Sequence, residues 1–96
     1  MVIVITYDVE TSSEGGQKRL RRVAKICENY GQRVQNSVFE CCLDAAQLVL
    51  LKNMLLKEID LRKDSLRLYK LGNNWEKKIE HFGVKQSYNP EGVLII

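Results

Sequence analysis

Arg33-Val34-Gln35-Asn36-Ser37-Val38-Phe39-Glu40-Cys41-Cys42-Leu43 is the stretch on which the fold turns. Its β-branched and aromatic residues predict extended chain, long enough for one strand or for two short ones with a tight bend. Apolar Val34, Val38 and Phe39 break strict alternation, which predicts a bulge or a change of face. Upstream, Leu20, Val23, Ala24, Cys27 and Tyr30 follow helical spacing over 17–30, and Gly31 is a natural stop. Before that helix, residues 2–7 (VIVITY) are apolar on both faces, as in a central strand covered on both sides or placed at a subunit contact. Asp8 ends the strand, and 11–16 reads as a loop.

Downstream, Asp44 and Gln47 have the spacing of a capping box. The helix they open runs to about Ile59, with Leu48, Leu51, Leu55 and Ile59 on one stripe and Leu50 and Met54 beside it. Residues 60–64 form a charged turn, and 65–71 alternate as a strand with one wet face. After a turn at 72–74, segment 75–82 reads as a short helix stopped by Gly83. A second turn at 89–92 precedes a terminal strand, 93–96. If 33–43 holds two strands, the order is β-α-β-β-α-β. The expected fold class is then α+β, a ferredoxin-like sandwich with both helices on one face of an antiparallel sheet, plus an extra C-terminal strand. No helix remains for the other face, so dimerisation through it, or through 93–96, is expected.

The chain has 96 residues, 45% of them hydrophobic and 28% charged, with one proline. That length predicts a single domain over 1–96 and excludes a deep private pocket. No apolar run approaches the roughly 20 residues of a membrane span, and no secretory signal is visible. Cys27, Cys41 and Cys42 show no C-x-x-C spacing, which predicts reduced thiols in a cytoplasmic protein, with Cys27 in the core. The net charge of +3 is compatible with nucleic acid without demonstrating it. Its distribution is uneven: Lys18, Arg19, Arg21, Arg22, Lys25 and Arg33 are opposed within 17–33 only by Glu28. This is either a solvated helix face or a set of phosphate contacts, for which guanidinium groups are suited.

Signatures of P-loops, dinucleotide sites, nucleophile elbows and zinc helices are absent. The single histidine, His81, has no second His or Cys nearby and reads as structural. Asp8 is the most informative residue. By position it is either a turn cap or a carboxylate fixed by a rigid strand and reaching solvent. One carboxylate is a poor Mg²⁺ site, and a two-fold axis would supply a second. Glu10 is an optional supporting carboxylate if the strand continues.

Tyr7-Asp8-Val9, the basic helix closing at Tyr30-Gly31, the run 33–40 (RVQNSVFE) and the later strand 66–71 (LRLYKL) together resemble the CRISPR-associated Cas-two endonuclease family. The resemblance spans nearly the whole chain. It implies a ferredoxin-like homodimer with two Asp8 carboxylates facing across the two-fold axis and holding a divalent metal, Mg²⁺ with Mn²⁺ as the alternative. It also implies metal-dependent cleavage of RNA or double-stranded DNA and a role beside the CRISPR integrase in spacer acquisition. Carried over by position, Asp8 is the catalytic and metal-binding residue, and Arg19, Arg22 and Arg33 contact nucleic acid. Arg22 is the first match in the helix and Arg19 the second, while Tyr7, Ser37 and Phe39 lie near the site. Two other readings stay open under the same resemblance. One is a duplex-binding structural subunit with little hydrolysis, using 93–96 to augment a sheet; the other is a toxin-type ribonuclease of the same fold.

Overall fold

The structure is a computed structural model that describes residues 1–71 and 79–84. The stretch 33–43 holds two strands. β2 (Gly31–Gln35) and β3 (Val38–Cys42) form an antiparallel hairpin closed by Asn36 and Ser37, and the register shifts between Arg33 and Gln35. Val34, the residue passed over, is the expected bulge, and its side chain points to solvent. With β1 (Val2–Asp8), α1 (Gly16–Tyr30), α2 (Ala45–Glu58), β4 (Ser65–Lys70) and β5 (Ile79–Gly83), the sheet order is β2-β3-β1-β4-β5. Its first four strands have the expected ferredoxin-like arrangement: β1 lies antiparallel to both β3 and β4, so each βαβ crossover skips one strand.

β5 corrects the helical reading of 75–82. Residues 79–83 pair antiparallel with β4, from Ser65 opposite Gly83 to Tyr69 opposite Ile79. Ile79 and Phe82 flank polar Glu80 and His81, a spacing of three that a helical turn and a short edge strand both tolerate; pairing with β4 decided it. Positions 75–78, the turns at 72–74 and 89–92, and the terminal strand expected at 93–96 lie outside the described residues.

Both helices cover one face. Ile3, Ile5, Phe39, Leu66 and Leu68 meet Val23 and Cys27 of α1 and Leu51 and Leu55 of α2 in one core, all fully buried. Each such side chain contributes roughly 1.5–3 kcal/mol by leaving water. The capping box of α2 is formed: Gln47 N–H donates to Asp44 Oδ1 at 2.7 Å and Asp44 N–H to Gln47 Oε1 at 3.0 Å. Leu50 and Met54, expected beside the buried stripe, face solvent with Val49. β1 is central, as its sequence predicts, but among the described residues it is covered on one face only. On the other face Val2 and Asp8 are exposed, and Val4 and Thr6 are half-buried.

Candidate metal and nucleic-acid site

Successive strand residues point to opposite faces, and at the end of β1 this separates two expected site neighbours. Tyr7 enters the core, whereas Asp8 stands exposed on the uncovered face, opposite Ser65 of β4. Tyr7 stacks on Phe39, with ring centroids 6.1 Å apart, and the Arg33 guanidinium lies over the Phe39 ring at 5.1 Å. Ser37 joins them through its carbonyl, which accepts Tyr7 N–H at 3.1 Å. The structure therefore brings Tyr7, Arg33, Ser37 and Phe39 together, but Tyr7 and Phe39 face away from Asp8. They brace the strand that carries it. Burial pushes the Tyr7 phenol up to about 12, and among the described residues its hydroxyl finds no partner. Arg33 is half exposed and also donates to Glu28 Oε1 at 3.1 Å and to the Asn36 carbonyl at 3.3 Å.

Arg19 corrects the expectation of a phosphate contact. Its Nε donates to Asp64 Oδ2 at 2.8 Å, and its Nη2 reaches Asp64 Oδ1 and the Glu10 carbonyl, both at 3.3 Å. Asp64 is fully buried, and its carboxylate accepts two further bonds, from Glu10 N–H at 3.0 Å and Asp60 N–H at 2.8 Å. Burial alone would raise the Asp64 carboxyl; the Arg19 hydrogen bond and the two backbone donors outweigh it and hold the carboxyl below its ordinary range. Arg19 is thus committed to the inside of the loop. Glu10 folds back on its own loop, its Oε1 accepting from Ser12 N–H, Ser13 N–H and the Ser12 hydroxyl.

The exposed basic surface lies around the helix from Arg19. Lys18, Arg21, Arg22 and Lys25 line one shallow open groove. Arg22 is 63% exposed and only 3.8 Å from Glu58, a contact too loose and too wet to occupy it. His81 is structural, as expected: Nδ1 accepts from Arg67 Nε at 3.0 Å and Nε2 lies 2.9 Å from the Val84 carbonyl. Cys27 is buried with its thiol pushed up to about 12, which suits core packing and not nucleophilic work.

A metal would find half a site here. Among the described residues no group of three or more His, Cys, Asp or Glu converges. The uncovered face offers a second carboxylate in Glu40, but it pairs with Val4, four residues back along β1 and so roughly 13 Å away. Asp8 is a hard oxygen donor on a rigid strand end, which suits Mg²⁺ or Mn²⁺ with waters completing the shell. Asp64 went unnoticed as a structural partner because a carboxylate in a charged turn reads the same whether it is solvated or saturated by backbone donors.

The model of the family described as CRISPR associated protein Cas2 matches residues 1–79. The chain belongs to this family. It is 62% identical over 95 residues to the CRISPR-associated endonuclease Cas2 of Halalkalibacterium halodurans, covering 99% of both chains. It is 57% identical to the CRISPR-associated endoribonuclease Cas2 of Nitratidesulfovibrio vulgaris, over all of this chain and 94% of the relative. Among solved structures it is similar to the crystal structure of Streptococcus pyogenes Cas2 at pH 6.5, with TM-score 0.70 and 52% identity over 83% of this chain and 96% of the other. A hypothetical protein from Thermus thermophilus gives TM-score 0.66 at 33% identity, over 75% of this chain and 82% of the other. Asp8, Arg22 and Arg33 therefore sit in a Cas2 scaffold whose first strand, basic helix and hairpin all lie inside the matched region. Among the described residues no helix is long and apolar enough to cross a membrane.

Proposed function

We propose that this chain is a metal-dependent endonuclease acting on DNA or RNA phosphodiesters in CRISPR spacer acquisition, working as a homodimer beside the CRISPR integrase. The observation that carries the reading is Asp8, exposed on the uncovered sheet face at the end of the central strand. The names of the relatives, endonuclease and endoribonuclease, support it. In two copies related by a two-fold axis at that face, the two Asp8 carboxylates would hold one divalent ion, Mg²⁺ or Mn²⁺. When bound, such an ion polarises a phosphoryl oxygen and lowers the pKa of a bound water.

The residues of the chain supply the rest. Asp8 holds the ion, and Lys18, Arg21, Arg22 and Lys25 lay the nucleic-acid backbone along α1 by phosphate contacts that read no sequence. Arg33, Phe39 and Tyr7 keep β1 from yielding. Asp8→Ala tests the reading: it should abolish Mg²⁺-dependent cleavage of duplex DNA and of single-stranded RNA while leaving duplex affinity intact. Cleavage at the wild-type rate after stringent purification would sink it. The basic groove of α1 favours a second reading, a duplex-binding structural subunit with little hydrolysis. Wild-type protein that binds duplex with a steep salt slope but cleaves no better than Asp8→Ala would establish that reading instead.

A further inference from the structure

Asp8 can hold an ion in place only if the chain on both sides of it is held. Before Asp8 the β ladder does this, since residues 3–8 of β1 pair with β4. After Asp8 the ladder stops, yet Val9 stays buried. Both backbone polar groups of Glu10 are claimed by one ion pair. Its N–H donates to Asp64 Oδ1 at 3.0 Å, and its carbonyl accepts from Arg19 Nη2 at 3.3 Å. Asp64 immediately precedes Ser65, the ladder partner of Asp8, so the carboxylate that catches the chain leaving β1 comes from the turn that enters the strand alongside.

Other elements lock Asp64 itself. Its carboxylate takes Asp60 N–H from the α2–β4 turn, and its own N–H donates to the Asp60 carbonyl at 2.7 Å. On the other side the Asp64 carbonyl accepts Val84 N–H at 2.7 Å. That approach requires Gly83, which has φ 102° and whose position leaves no room for a Cβ against the Asp64 carbonyl. At the start of α1, Gly16 packs so closely on the Glu10 carbonyl that a Cβ there would collide with it as well. β1, α1, the α2–β4 turn and β5 thus converge on one ion pair located a residue beyond the ladder partner of Asp8.

We infer that Asp64, with Arg19, is a positioning residue of the Asp8 site: the pair fixes the backbone on the far side of Asp8 and so sets where its carboxylate stands. This rests on the endonuclease reading, and it assigns neither residue to substrate or metal. Supporting groups of this kind are typically worth 10–100-fold in metal affinity or rate, and small misplacements at a reacting centre cost on that scale.

The test compares Asp64→Asn and Arg19→Lys with wild type, with Asp8→Ala, and with Leu48→Ala, a core cavity at the other end of the sheet chosen to lower stability. Arg19→Lys keeps the charge but cannot reach Asp64 twice and Glu10 as well, so it decides the matter if Asp64→Asn does not fold. Expected for the pair variants are a fall in kcat of about 10–100-fold, an unchanged KM, and unchanged duplex affinity and salt slope. Mn²⁺ titration, followed by paramagnetic broadening of the Asp8 and Val9 amide signals, should show a half-saturating concentration raised about tenfold or more, a readout that needs no turnover. Leu48→Ala should melt earlier and keep both kcat and Mn²⁺ affinity. If the pair variants behave like Leu48→Ala, the ion pair only stabilises the fold and the inference is wrong. If Asp8→Ala itself cleaves and binds Mn²⁺ like wild type, the endonuclease reading fails first.

Discussion

Asp8 and Asp64 lie at neighbouring strand ends, one ladder step apart, and their surroundings are opposite. Asp64 is fully buried and its two oxygens accept from Arg19, Glu10 and Asp60, whereas Asp8 is exposed on a face that no helix among the described residues covers. The same contrast divides two arginines of α1. Arg19 is 15% exposed and tied to Asp64, whereas Arg22 is 63% exposed and faces the groove. A charged group enclosed by donors contributes shape and stability; one at the surface can be reached by a ligand. Residue type does not distinguish these cases. Enclosure does.

The comparison breaks most directly at Asp8. Asp8→Ala should reduce Mg²⁺-dependent cleavage at least about 100-fold, and a variant that kept wild-type cleavage would reverse the roles of the two carboxylates. Asp64→Asn should instead cost about 3 kcal/mol in urea unfolding, because it leaves Arg19 facing an amide that also donates. The acid limb sharpens the same point. The carboxyl of Asp64 is held below its ordinary range in the folded state, so its stabilisation is complete above the unfolded carboxylate pKa and is lost as pH falls through the lowered folded value. Urea midpoints measured from neutral pH down to about 3 should therefore fall more steeply for wild type than for Asp64→Asn. Arg22→Ala/Lys25→Ala should lower the duplex-binding salt slope by about two with little change in melting; Arg19→Ala should lower melting and leave the slope alone. The smallest effect is expected at Tyr7, whose buried hydroxyl has no partner among the described residues. Tyr7→Phe should be neutral or stabilising by up to about 1 kcal/mol in urea unfolding.

Much of the scaffold was legible in the residues because it depends on local rules. The Asp44–Gln47 box, the Leu48, Leu51 and Leu55 stripe and the bulge at Val34 each follow from spacing within a few positions. Segment 79–83 was not legible, since its strand character is conferred by pairing with β4 and a short mixed run has no preference strong enough to declare it. Asp8 was legible as a strand-end carboxylate. Its separation from Tyr7 follows from strand alternation, yet the face each would take required knowing where the helices lie.

By itself the sequence determined the two long helices, the first strand, the strand after the second helix, the family and the position of Asp8 at the close of the first strand, because these rest on periodicity, caps and motif residues close together in the chain. Only the tertiary structure decided which charges work outward and which inward. Asp64 lies 45 residues from Arg19 and 54 from Glu10 in the chain, and only the folded packing brings them within hydrogen-bonding distance and excludes water from one of two adjacent carboxylates. That exclusion makes Asp64 part of the frame and leaves Asp8 at the surface.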